Sequence, residues 1–126
     1  MALYMKEKRF SVREQAIQGK IMRHLEKIPN LVCFKVIGSS KRGCPDILVC
    51  YRGKFIGLEV KRCLKEYQGF GGKKTLKETQ KQMQKTIRCA GGIAEFVDSI
   101  STANKALAKA LGEDMENFGV SEVSES

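Results

Sequence analysis

At 126 residues the chain is sized for one domain with a single modest core, and no apolar run approaches the roughly 18 residues of a membrane span. Its five cysteines are odd in number and show no C-x-x-C pair, which argues against a disulfide framework and for a reducing, cytoplasmic setting. The net charge of +9 hides an asymmetry: residues 112–126 hold five of the 14 acids and no Lys or Arg, so the rest sets 23 basic against nine acidic residues, a charge of +14 that attracts polyphosphate, most simply nucleic acid.

The domain is expected to span residues 1–111, with 112–126 as an acidic, Ser- and Glu-rich tail lacking the composition to fold. Met1–Phe10 is a basic lead-in with neither a clear pattern nor the apolar core of a signal peptide. Ser11-Val12-Arg13-Glu14 has the spacing of a capping box and opens a helix to about Ile28, stopped by Pro29-Asn30. Ile17, Ile21, Leu25 and Ile28 form its buried stripe. Glu14 lies three and seven residues before the first two, on the same inward stripe. It either turns back to cap the helix or points into an active site, and the two roles exclude one another. His24, the only histidine, is expected at the helix surface or boundary.

Leu31–Ile37 reads as a strand from its β-branched and apolar content. Gly38-Ser39-Ser40-Lys41-Arg42-Gly43 follows; small polar residues beside two cations suit a loop that grips phosphate, although an ordinary polar turn has the same composition. Residues 43–61 then form a β-hairpin about Arg52-Gly53. With Tyr51 and Lys54 flanking a two-residue turn, Cys50 faces Phe55, Leu48 faces Gly57 and Asp46 faces Glu59. Arg is a poor residue for the positive φ such a turn demands, and a three-residue bulged loop would shift the register. Facing acids have Cβ atoms about 5 Å apart and repel, an arrangement that stability alone would not select. Strand alternation puts Lys61 on the same face as Glu59. Two converging carboxylates suit a hard divalent cation such as magnesium, and the lysine adds a point charge for a developing phosphate charge or a nucleophilic water.

Residues 62–74 make a long, basic, glycine-rich connection that carries Arg62, Tyr67, Phe70, Lys73 and Lys74 and is expected to be mobile. It can follow a DNA backbone and stack an aromatic on an unpaired base, or serve merely as a crossover. Gly72-Lys73-Lys74 is no Walker A loop, since the ending and upstream spacing fail. Thr75-Leu76-Lys77-Glu78 offers a second capping box for a helix to about Ala90, with the stripe Leu76, Gln80, Met83, Ile87 and Ala90. Gln80 is the polar intruder on that line and needs hydrogen-bond partners if buried. Ala90-Gly91-Gly92 ends the helix, Ile93–Val97 is a strand, and Ser101–Leu111 is an alanine-rich helix closed by Gly112.

The element order α-β-β-β-α-β-α, together with Pro45-Asp46 and Glu59-Val60-Lys61, resembles the PD-(D/E)xK nucleases, and within them the virus-type replication-repair nuclease (VRR-NUC) domain in its standalone phage form. The resemblance covers roughly residues 11–99. It rests on an early helical acid (Glu14), Gly43-Cys44-Pro45-Asp46, Glu59-Val60-Lys61, a helical glutamine (Gln80, with Gln84 as competitor) and Ala90-Gly91-Gly92 before the last strand. It implies an α/β/α sandwich around a mixed four-stranded sheet. It further implies a Mg2+-dependent deoxyribonuclease (Mn2+ as substitute), with Asp46, Glu59 and the Val60 carbonyl as metal ligands. Glu14 would support the metal through water, Lys61 would position the attacking water, and Gln80 would orient its neighbours. Ser39, Ser40, Lys41, Arg42, Arg62, Lys73 and Lys74 are the expected DNA contacts. The implied partner is branched DNA, cut at four-way junctions by a homodimer, without membrane or small-molecule cofactor. Flap cleavage, a restriction-type endonuclease and a non-catalytic DNA-binding module are the alternatives.

Overall fold

The computed structural model describes residues 12–112. They form helix α1 (Val12–Leu25), strands β1 (Leu31–Lys35), β2 (Ile47–Tyr51) and β3 (Lys54–Val60), and a short 3-10 turn (Leu64–Glu66). Helix α2 (Glu78–Cys89), strand β4 (Ile93–Val97) and helix α3 (Ile100–Leu111) complete the chain order. The sheet order is β1-β2-β3-β4; the first three strands are antiparallel, and β4 joins parallel to β3 after the α2 crossover. No helix among the described residues is long and apolar enough to cross a membrane.

Alternation along the strands sorts side chains onto two unlike faces. On one, Ile47, Val49, Tyr51, Ile56, Leu58, Val60 and Val97 meet Ile21 and Leu25 of α1 and Ala103, Ala106, Leu107 and Ala110 of α3. That is the core. The small side chains of α3 let its backbone lie close to the sheet, and Ser99 caps it reciprocally with Thr102. Helix α2 lies on the opposite face, against β3 and β4. It leaves Val32, Phe34, Cys50 and Phe55 of that face exposed.

The hairpin register is the one the sequence predicts: Cys50 pairs with Phe55, Leu48 with Gly57 and Ile47 with Leu58. Both turn residues have positive φ, 52° for Arg52 and 82° for Gly53, as a turn matched to strand twist requires. The Arg52 guanidinium lies 5.5 Å from the centre of the Tyr51 ring, a cation–π contact that offsets part of the strain.

Elsewhere the structure corrects the sequence reading. Helix α1 ends at Leu25, and a run of turns carries Ile28 into the core. Its buried line is Gln18, Ile21 and Leu25, with Ile17 only partly covered. His24 is buried rather than peripheral, its Nε2 2.7 Å from Asn104 Oδ1 on α3. Strand β1 stops at Lys35. Helix α2 starts at Glu78, not Thr75, and its N-cap Lys77 receives no side-chain cap; Leu76 is instead buried in the extended segment before the helix. The buried residues of α2 are Gln84 and Ile87, while Ala90 is exposed.

Residues 62–74, expected to be mobile, fold back on themselves. Gln68 N donates to Lys74 O and Lys74 N to Glu66 O, both at 2.8 Å. Arg62 and Lys74 converge on the Glu66 carboxylate at 2.7 and 2.9 Å. The Ser11 half of the first capping box and the tail from 113 onward lie outside the described residues.

Candidate active site

The acidic pair is a product of the hairpin register. One step beyond the Ile47–Leu58 pair, Asp46 and Glu59 stand opposite each other on the α2 face. Asp46 is held at both ends: its carbonyl accepts from Val36 N and its Oδ2 accepts from Val60 N, each at 2.8 Å. Only 1% of Asp46, 4% of Glu59 and 8% of Lys61 is exposed, so three formal charges are buried on one patch. Lys61 N donates to Val97 O at 2.8 Å, fixing this residue where β3 and β4 separate.

Gln80 comes from α2 to bridge the site. Lys61 Nζ donates to Gln80 Oε1 at 2.9 Å, and Gln80 Nε2 donates to Glu59 Oε2 at 2.8 Å. An ammonium can only donate, so the amide oxygen must face Lys61 and the NH2 must face the carboxylate. A carboxamide is the side chain that satisfies both neighbours at once. Gln84, the competitor, is used otherwise: its Oε1 accepts from Arg88 at 3.1 Å.

Two aromatic residues complete the surroundings of Lys61. Its ammonium lies 5.6 Å from the centre of the Tyr67 ring and 5.9 Å from that of Phe96. The sequence reading gave neither a place beside the lysine. For Phe96 a signal existed, because parallel pairing sets it against Glu59 and hence on the same face. Tyr67 had none, since it arrives through the folding of the 62–74 segment.

The loop before Asp46 is anchored by close packing. Gly43 has φ 76°, and a Cβ there would run into the Thr79 carbonyl at the start of α2. At Gly57 a Cβ would come within 2.6 Å of Pro45 Cγ. Both glycines thus let the loop press against α2 and the sheet, which orients Asp46 from two sides. Arg42 lines a recess with Glu78, Thr79 and Gln82 of α2. Ser39 Oγ accepts from Lys41 N at 3.0 Å, a local turn contact.

Of the expected DNA contacts, Ser40, Lys41, Arg42 and Lys73 are exposed, and Ser39 is half-buried. Arg62 and Lys74 are also exposed but share Glu66. Their hydrogen bonds, that from Lys74 foremost, hold the Glu66 carboxyl below its ordinary range, and Glu66 in turn raises Arg62.

Glu14 sits half-buried in the first turn of α1, the helix packed on the other face of the sheet. Among the described residues no three His, Cys, Asp or Glu side chains gather as a ready metal cluster, so Glu14 does not join Asp46 and Glu59 in one. One turn after Glu14, Gln18 is 2% exposed and neither atom of its carboxamide is hydrogen-bonded. The donor set nonetheless fits a hard divalent cation. Asp46 and Glu59 supply carboxylate oxygens, the ligand type magnesium and manganese take. Two acids are buried beside a single lysine whose ammonium is directed to Gln80. A cation between them would offset the charge burial.

No family model matches the chain, and no curated protein matches it. A solved structure described as a VRR_NUC domain is similar over 77% of this chain and 96% of its own length, with a TM-score of 0.59 and 20% identity. The chain therefore shares the fold of that VRR_NUC domain, an α/β architecture with a mixed four-stranded sheet.

Proposed function

We propose that the protein is a metal-dependent DNA endonuclease that hydrolyses phosphodiester bonds in branched DNA, four-way junctions above all. The observation that carries this reading is the hydrogen-bonded string Lys61–Gln80–Glu59, its charged ends buried, beside the buried Asp46, on a fold shared with a VRR_NUC domain. A stability-driven core would not retain two facing acids and a lysine with so little exposure.

Asp46, Glu59 and the Val60 carbonyl are the groups that would hold Mg2+ or Mn2+, which supplies charge neutralisation at the scissile phosphate and activation of water. Lys61 presents an ammonium with three donors; one is spent on Gln80, leaving the others for the attacking water or a phosphate oxygen. Gln80 keeps that ammonium from collapsing onto Glu59, so the carboxylate stays available as a ligand. The Tyr67 and Phe96 rings border the lysine and limit the directions its ammonium can take. Glu14 supports the site from α1 through water. Lys41, Arg42 and Lys73 grip the DNA backbone. Contacts of that kind position the substrate without reading sequence, so affinity should fall steeply with salt and base sequence should matter little. Two strands of a junction cut symmetrically need two sites related by a two-fold axis, hence a homodimer.

The test is cleavage of four-way, flapped and linear DNA with magnesium or manganese, beside Asp46→Ala and Lys61→Ala. Paired, metal-dependent cuts in the junction that both variants lose are the expected result. Undiminished cleavage by Asp46→Ala would overturn the assignment, and cutting confined to flaps would redirect the substrate.

A further inference from the structure

Three phenylalanines are exposed among the described residues: Phe34, Phe55 and Phe70. Phe34 and Phe55 belong to strands of the sheet, whereas Phe70 is the apex of the connection from β3 to α2, with 43% of it exposed. That connection is braced. Its root is the buried Leu64, whose N–H donates to Asp98 Oδ2 at 2.7 Å. Beyond the bonds from Gln68 and Lys74 described above, Tyr67 O accepts from Gly72 N at 3.0 Å and from Phe70 N at 3.1 Å. The two arms approach so closely that a Cβ on Gly72 would run into the Glu66 carbonyl group. At the apex the surroundings are open instead. Gly69 and Gly71 have φ of 91° and 100°, and a Cβ on either would meet nothing within 4 Å. The two glycines bend the chain on both sides of Phe70 through a backbone region that other residues avoid. The result is one aromatic ring presented at the tip of an ordered stem.

We infer that Phe70 is a stacking finger for an unpaired base of DNA, set beside the candidate active site. Position is the first reason. The turn closed by Phe70 N and Tyr67 O keeps the Cα atoms of these two residues within about 7 Å. The Tyr67 ring in turn lies 5.6 Å from Lys61 Nζ, so the finger grows out of the wall of the site. Charge is the second. Residues 62–74 carry Arg62, Lys65, Lys73 and Lys74 against the single acid Glu66, and all four cations are exposed. The tip from Gln68 to Gly72 has no charge. Cations that follow a phosphate backbone, with an aromatic ring between them, are the make-up of a single-strand-binding surface. A contact with another protein is the competing use, but lysines are depleted around the apolar centre of such contacts. Order is the third reason. A finger already held by its own hydrogen bonds gives up little conformational freedom on binding.

The consequence is a choice of DNA by structure. In a linear duplex every base is stacked on its neighbours, and Phe70 reaches no free face without the cost of unstacking one. At a flap or an opened branch point a base is free to swing onto the ring. Every base has such a face, so the preference is blind to sequence. The inference rests on the DNA-binding half of the proposed function and not on its hydrolytic half.

The experiment is binding of the full chain, in EDTA so that nothing is cut, to a flapped duplex and to a fully paired linear one. The flap carries 2-aminopurine at its first unpaired position, a base whose emission falls on stacking. Phe70→Ala should bind the flapped duplex about 5- to 150-fold more weakly than the wild type, the range that loss of one stacked base implies. The linear duplex is the reference and should show no such loss. Phe70→Leu keeps an apolar tip without a π-face and should behave as Phe70→Ala, whereas Phe70→Trp should bind the flap at least as tightly as the wild type. The 2-aminopurine emission should fall at saturation with the wild type and not with Phe70→Leu. Unchanged circular dichroism is expected of every variant, since the ring sits at the tip.

An equal loss on both DNAs would overturn the inference and make Phe70 a support of its loop. No loss on either would overturn it too, and would point to a protein partner at the tip. A leucine variant as tight as the wild type would replace stacking with plain apolar contact, and a wild type that binds neither DNA would overturn the inference together with the proposed function. Failure of the nuclease reading alone looks different: the flap base is quenched through Phe70, yet added magnesium or manganese produces no cut.

Discussion

Asp46 is the residue at which two energetic effects of opposite sign can be separated. Facing carboxylates about 5 Å apart repel by about 3 kcal/mol at an effective dielectric constant near 20. Removing the charge should recover part of that. Asp46→Ala, however, also deletes the acceptor for Val60 N, a 2.8 Å bond inside the protein. Losing a hydrogen bond to a charged group, with the donor left buried, costs about 1.5–3 kcal/mol. The alanine variant should therefore melt near the wild type in metal-free buffer, gain and loss nearly cancelling. Asp46→Asn keeps an acceptor for Val60 and turns its NH2 toward Glu59, converting repulsion into a hydrogen bond. We predict that Asn exceeds Ala by about 1.5–3 kcal/mol, or roughly 6–12 °C in Tm at about 4 °C per kcal/mol. Both should lose cleavage, and magnesium should raise the Tm of the wild type alone. Thermal melts with and without magnesium decide it. Equal melting of the two variants would refute the role of the Val60 bond, and an Asn variant well below wild type would refute the repulsion.

Gln80→Leu should abolish or severely reduce cleavage and cost about 1–3 kcal/mol, because Lys61 and Glu59 lose their shared partner; Gln80→Glu, which sets a third acid beside Glu59, should be worse in metal-free urea melts. Glu14→Gln should leave the melting temperature nearly unchanged and lower activity strongly, and full activity would make Glu14 a structural residue only. The Glu66 carboxyl is held below its ordinary value near 4.5 by Lys74 and Arg62. Its contribution to the 62–74 segment is thus complete above that value and lost as pH falls through the lowered one. Amide protection at Gln68 and Lys74 should accordingly drop as pH falls below the ordinary carboxylate value while that of the central strands persists, and Glu66→Gln should give the same loosening at neutral pH.

What was legible in the sequence follows from how local each feature is. The hairpin register was readable because a two-residue turn fixes every facing pair, and Asp46 opposite Glu59 followed from it. Arg52 is a poor residue for its turn by propensity, and the stacking of its guanidinium on Tyr51 is a contact no propensity records. Gln80 stands out as a polar residue on an apolar line, yet its two partners lie about twenty residues back, at the end of β3, beyond any periodicity argument. Helix starts failed where tertiary burial outweighed local capping: Leu76 is claimed by the core before the helix can begin at Thr75. The salt-bridged fold of residues 62–74 was hidden because one glutamate, Glu66, organises a stretch whose composition reads as flexible. The exposure of Phe34 and Phe55 was invisible for a related reason, since both look like core residues until the reach of α2 is known.

The parallel pairing of β3 with β4 has a kinetic consequence. The hairpin that opposes Asp46 to Glu59 closes over a short separation, and such contacts form in about 1–10 µs. Joining β4 to β3 requires the long crossover through α2, whose loop-closure entropy must be met before its contacts stabilise anything. We therefore predict that the two acids are brought face to face early, while Lys61 and Gln80 meet only late in folding. During that interval the nascent protein carries its electrostatic repulsion without the groups that later relieve it, and a divalent cation present at that stage would act on the folding rate as well as on the finished fold. Stopped-flow refolding with and without magnesium, with Val49→Ala as a hairpin probe and Ile87→Ala as a crossover probe, reads this directly. A high φ-value at Ile87 and a low one at Val49 would reverse the order.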